Sequence, residues 1–71
     1  MNHYSLPGTR RKLHTAATRR WLVVSIYDGR PKVEASTDDE SAAAALIARY
    51  RREFGPGGQL VLLDQAGLGG S

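Results

Sequence analysis

Apolar positions fall into three blocks along the chain, and each has its own period. Residues 21–27, Trp-Leu-Val-Val-Ser-Ile-Tyr, are dominated by β-branched and aromatic side chains, which fit a pleated sheet. They predict the main strand. Asp28-Gly29 follows, and an Asp-Gly pair between apolar runs predicts a hairpin turn, because glycine takes positive φ without steric cost. Residues 32–36 then alternate, with Val33 and Ala35 on one side. This is a half-exposed edge strand that tolerates Pro31 at its start.

The second block changes to three- and four-residue spacing. Ala43, Leu46, Ile47, Tyr50 and Phe54 form one stripe, which predicts the core face of a helix. Thr37 with Glu40 three residues later is a capping-box pattern, and Asp38, Asp39 and Glu40 suit the positive end of the helix dipole. The helix should span 38–54, roughly 25 Å at 1.5 Å per residue. Arg49, Arg51 and Arg52 favour its last turns, and Gly55-Pro56-Gly57-Gly58 should end it. The third block, Leu60-Val61-Leu62-Leu63 within residues 59–64, predicts a last strand.

The order is ββαβ, an α+β fold. A crossover helix makes the second and third strands parallel to each other and antiparallel to the first. The most apolar strand then lies in the middle of a three-stranded antiparallel sheet of order 2-1-3. The helix is expected on the face carrying Leu22, Val24 and Ile26. That leaves Trp21, Val23, Ser25 and Tyr27 bare, together with one alternate pair from residues 60–63, to be covered by the N-terminal segment, a second copy or a partner. The third strand is also an apolar edge without lysine or proline to blunt it. A homodimer through the sheet is therefore expected, with Trp21, Val23, Tyr27, Leu60 and Leu62 at its interface.

Residues 1–18 show no clear period and contain a Pro7-Gly8 turn signal. They read as a basic, flexible N-terminal arm, with a single domain at 19–65 and a frayed, glycine-rich tail at 66–71. Charge sharpens this division. Arg10, Arg11, Lys12, Arg19 and Arg20 stand in the first 20 residues with no acid, whereas the rest carries five cations against seven carboxylates. Such an asymmetry is the footprint of a chain that approaches an anion. Arginine outnumbers lysine eight to two, with abundant alanine and glycine. That bias fits a GC-rich bacterial or phage genome.

Other classes find little support. Seventy-one residues make one domain, which at this size buries only about 60% of its unfolded surface. The absence of cysteine removes disulfides, thiolate metal sites and a cysteine nucleophile. No stretch approaches about 18 consecutive apolar residues or a secretion signal, so a cytoplasmic location is expected. His3 and His14 fit no common metal-ligand spacing. A helix start accounts for the Asp38-Asp39-Glu40 cluster. The Gly55–Gly58 loop leaves a helix, whereas phosphate loops enter one. No catalytic residue, metal or cofactor is therefore expected, and no small-molecule substrate is evident.

The arm's charge has no secondary-structure explanation. Mobile cations with Tyr4, His14 and Trp21 combine phosphate neutralisation with flat rings. The expected function is a non-catalytic regulatory module that contacts nucleic-acid phosphates through Arg10, Arg11, Lys12, Arg19 and Arg20. An acidic protein surface is the alternative partner for this arm, and the alternative function is a protein-binding adaptor or inhibitor acting through its strand edge or aromatic face.

Overall fold

The computed structural model of the chain describes residues 2–55 and 58–69. Seven elements follow one another: β1 (Asn2–Tyr4), β2 (Leu13–Thr15), β3 (Trp21–Tyr27), β4 (Arg30–Thr37), α1 (Glu40–Phe54), β5 (Gln59–Asp64) and α2 (Gln65–Gly69). The last three strands and α1 form the expected ββαβ unit. Their sheet has the order β4-β3-β5 with both pairings antiparallel, which is the 2-1-3 arrangement.

β3 enters β4 through Asp28 and Gly29, whose φ values of 52° and 73° are the left-handed pair of a type I′ hairpin. β4 begins earlier than expected, at Arg30, and carries a bulge. Val23 pairs with Ala35 and Val24 with Val33, so Glu34 is the extra residue between them. Its carboxylate accepts a 2.7 Å hydrogen bond from the buried Ser25 hydroxyl. α1 begins at Glu40, and its N-cap is Asp39 rather than Thr37. The Asp39 carboxylate accepts from the Ser41 N–H at 3.0 Å, while Thr37 is held in β4 by pairing with Trp21. Gly55, at φ 64°, closes the helix by donating its N–H to the Arg51 carbonyl. Pro56 and Gly57 of the expected terminator lie outside the described residues.

The helix covers the face opposite to the expected one. The Tyr27 ring stands 5.8 Å from Phe54 of α1, and Val23, on the same side of β3, is 1% exposed. Ala43 and Ile47 are the buried positions of the helix stripe. Leu22, Val24, Ile26 and Leu63 instead join a cluster with Tyr4, Leu6 and Leu13. Both alternate sets on β3 are rich in apolar residues, so parity alone leaves the choice open. The N-terminal segment decides it by supplying apolar groups for the second face.

That segment is more than an arm. β1 and β2 pair antiparallel in a second, two-stranded sheet, with Tyr4 opposite Leu13 and His3 opposite His14. Tyr4, Leu6 and Leu13 are each at most 9% exposed. Burying three such side chains contributes on the order of 5–9 kcal/mol before the entropy of ordering is subtracted. Both faces of the main sheet are thus covered within one chain, and the bare face on which sheet-to-sheet dimerisation was expected does not exist. The C-terminal segment also differs from expectation, because α2 continues directly from β5. Residues 70–71 of the expected frayed tail lie outside the described residues.

A buried glutamine latches the segment in place. The Gln65 side chain, 8% exposed, donates to the Ala17 and Arg19 carbonyls at 3.0 and 2.8 Å, and accepts from the Tyr4 hydroxyl at 2.6 Å. Its own N–H donates to the Arg20 carbonyl at 2.8 Å.

Candidate nucleic-acid interface

The basic tip of the β1–β2 hairpin is set by two glycines. Leu6-Pro7-Gly8-Thr9 forms a turn in which the Thr9 N–H and hydroxyl both donate to the Leu6 carbonyl, at 3.3 and 2.7 Å. Gly8 at φ 81° sits where a type II turn after proline needs positive φ. The chain then docks on the β3–β4 turn, with the Arg10 N–H donating to the Gly29 carbonyl at 2.9 Å. A Cβ on Gly29 would lie 2.9 Å from Arg10 Cγ and 3.3 Å from its amide nitrogen, and at φ 73° any side chain would be strained, so glycine suits this approach.

Docking brings cations from distant parts of the chain together. Arg11, Lys12, Leu13 and His14 on one side, with Arg30 and Pro31 on the other, line an open groove of about 670 Å³. No acidic side chain lines it. The ion pairs among the described residues are Arg20–Asp64 and Arg49–Glu53, which leaves Arg10, Arg11, Lys12 and Arg30 without carboxylate partners. His14 is exposed and stacks on His3 across the hairpin, ring centroids 4.1 Å apart.

Arg19 and Arg20 lie elsewhere. They precede β3, whereas the groove flanks its far end, about 20 Å away along a seven-residue strand. Arg20 is also occupied. Its guanidinium grips Asp64 through Nε and Nη2 at 3.1 and 3.2 Å and covers the Trp21 ring at 4.9 Å. The Asp64 hydrogen bond, followed by its charge, raises the Arg20 pKa. The same hydrogen bond holds the Asp64 carboxyl below its ordinary value. The five expected phosphate contacts thus divide into Arg11 and Lys12 lining the groove, an Arg10 docked on Gly29, an exposed Arg19 away from the groove, and an Arg20 committed to structure. Arg30 was missed because its neighbours read only as a turn.

The expected partner-facing residues are redistributed too. Val23 is buried inside the chain, Trp21, Leu60 and Leu62 are half-buried, and Tyr27 is the one exposed large apolar side chain among the described residues, at 40%. Tyr27 belongs to a row of rings, 5.8 Å from Phe54, which lies 5.7 Å from Tyr50. Beside the row is a second hollow of about 470 Å³, with Tyr27, Phe54 and Pro31 as apolar lining and Ser25, Asp28, Arg30, Lys32 and Glu34 as polar lining. Arg30 and Pro31 border both hollows. Among the described residues no three histidines or carboxylates gather as a metal site, and no helix is long and apolar enough to cross a membrane.

Fold and site together define a small α+β chain whose two sheets meet along a cationic seam. No family model, curated protein or solved structure matches it.

Proposed function

We propose that this chain is a small, non-catalytic binding module that holds a nucleic-acid backbone in the groove between the β1–β2 tip and the start of β4. The observation that carries the reading is the sign of the groove. Arg11, Lys12 and Arg30 converge with no acid among them, an arrangement that opposes folding by self-repulsion and gains its value when an anion enters. Phosphates require such cations. The rings beside the groove favour nucleic acid over an acidic protein surface, since bases offer faces to stack. A cytoplasmic location goes with this partner.

Fluorescence anisotropy with a labelled 20-nucleotide DNA, as duplex and as single strand, tests the proposal. Three or four phosphate contacts should weaken duplex binding roughly 40- to 150-fold between 50 and 200 mM salt, from a slope of about −0.9 per contact. The double variant Arg11→Glu, Lys12→Glu should bind at least about tenfold more weakly while its urea midpoint stays level or rises, because the self-repulsion is relieved. Arg20→Ala should leave binding unaltered. Salt-insensitive binding, or equal damage from Arg20→Ala, contradicts the reading.

One observation favours a second reading, a protein-binding adaptor or inhibitor. β5 pairs with β3 alone among the described residues, so its outer edge offers backbone groups flanked by Leu60, Val61 and Leu62. A partner strand or a second copy would extend the sheet there. This is the surviving form of the expected homodimer. Sedimentation of wild type against Leu62→Glu separates the readings: edge pairing predicts a dimer that the charge disperses.

A further inference from the structure

We infer that the occupant of the groove is a single strand, with one unpaired base seated in the hollow beside Tyr27. This deepens the phosphate-binding reading and rests on it. The two hollows share the rim formed by Arg30 and Pro31, so a backbone lying along the groove passes the mouth of the second. Their chemistry differs. The groove is cationic and takes the phosphates, whereas the second hollow mixes Arg30 and Lys32 with Asp28 and Glu34 and repels an anion from its acidic part. What it offers is an aromatic wall, with Tyr27 40% exposed against Phe54 at 5.8 Å, and the Glu34 carboxylate, an acceptor for base N–H groups.

A neutral, flat ring with polar edges suits that combination, and base-on-aromatic stacking is sequence-tolerant. A duplex keeps its bases stacked, and extracting one costs a few kcal/mol. A single strand presents its bases at lower cost. Gly58 keeps the wall in place, since a Cβ there would meet the Tyr27 ring at 2.5 Å.

Anisotropy titrations of the whole chain at 50 mM salt, with one mixed-sequence 12-mer as single strand and as duplex, test the inference. The single strand should bind at least tenfold tighter. Tyr27→Ala should weaken single-strand binding about 5- to 150-fold, the range of one lost stacking contact, and leave duplex binding within twofold. Tyr27→Phe should retain wild-type affinity. Gly58→Ala should reproduce the Tyr27→Ala loss by displacing the ring, and the circular dichroism melt of each variant verifies folding. Equal affinity for both forms, with Tyr27→Ala affecting neither while Arg11→Glu, Lys12→Glu abolishes both, overturns the base site and leaves the phosphate groove standing. Failure of wild type to bind either form overturns both.

Discussion

The two ends of β3 both gather arginines and use them in opposite ways. At the Trp21 end Arg19 is exposed but the Arg20 charge is consumed: Arg20 clamps Asp64, covers the indole, and donates its backbone N–H to the Asp38 carboxylate at 3.0 Å. Gln65 adds a buried network that fastens the N-terminal segment. At the Tyr27 end Arg11, Lys12 and Arg30 line one groove and Arg10 docks on Gly29, all without a carboxylate partner among the described residues. One end spends polar groups on stability and the other keeps them available. Identical residue types therefore carry different meanings according to what the fold places beside them.

The largest effect that would break this comparison lies at Gln65. Gln65→Ala removes three side-chain hydrogen bonds and orphans the buried Tyr4 hydroxyl, so it should cost about 2–4 kcal/mol in urea unfolding. It should also raise amide exchange across residues 4–17. A loss below about 0.5 kcal/mol would show that the latch holds nothing. A smaller effect is expected at Asp64. Its carboxyl titrates below its ordinary value in the folded chain because Arg20 hydrogen-bonds to it, so the ionised form favours folding. That contribution is present at neutral pH and is lost as pH falls below about 4, through the depressed folded value. Asp64→Asn should lower the urea midpoint at pH 7 and converge with wild type near pH 2. A gap that stays constant across that range would remove the ion pair from the account.

The smallest effect is expected at Trp21, whose indole N–H is buried without a hydrogen-bond partner among the described residues. Trp21→Phe deletes that orphan donor while losing part of the ring. The two changes offset, and stability should move by less than about 1 kcal/mol. A loss above about 2 kcal/mol would show that the ring under Arg20 matters more than its unpaired donor costs.

How much of this was legible in the sequence follows from element length. β3 at 21–27 and β5 at 59–64 appeared at their observed bounds, because β-branched runs and flanking turn residues act locally. The stripe Ala43, Leu46, Ile47, Tyr50 and Phe54 announced α1. β1 and β2 were hidden: three residues each cannot show a period, and eight residues separate them, with a turn and then three cations between. Missing them left one sheet face unoccupied on paper and turned the helix to the wrong side. The candidate site was half legible. Arg10, Arg11 and Lys12 drew notice as a charge cluster, but Arg30 joins them only through the Arg10–Gly29 contact, a meeting of residues 19 apart that no local pattern announces.

That contact makes the groove a joint as much as a surface. One wall belongs to the N-terminal hairpin and the other to the main sheet, so whatever fills the seam fastens one sheet to the other. A ligand gripping Arg11, Lys12 and Arg30 acts as a removable staple, worth about 2.7 kcal/mol of added stability at a hundredfold excess over its dissociation constant if it binds only the folded chain. For a chain of 71 residues with a small core, occupancy and foldedness become two readings of one equilibrium.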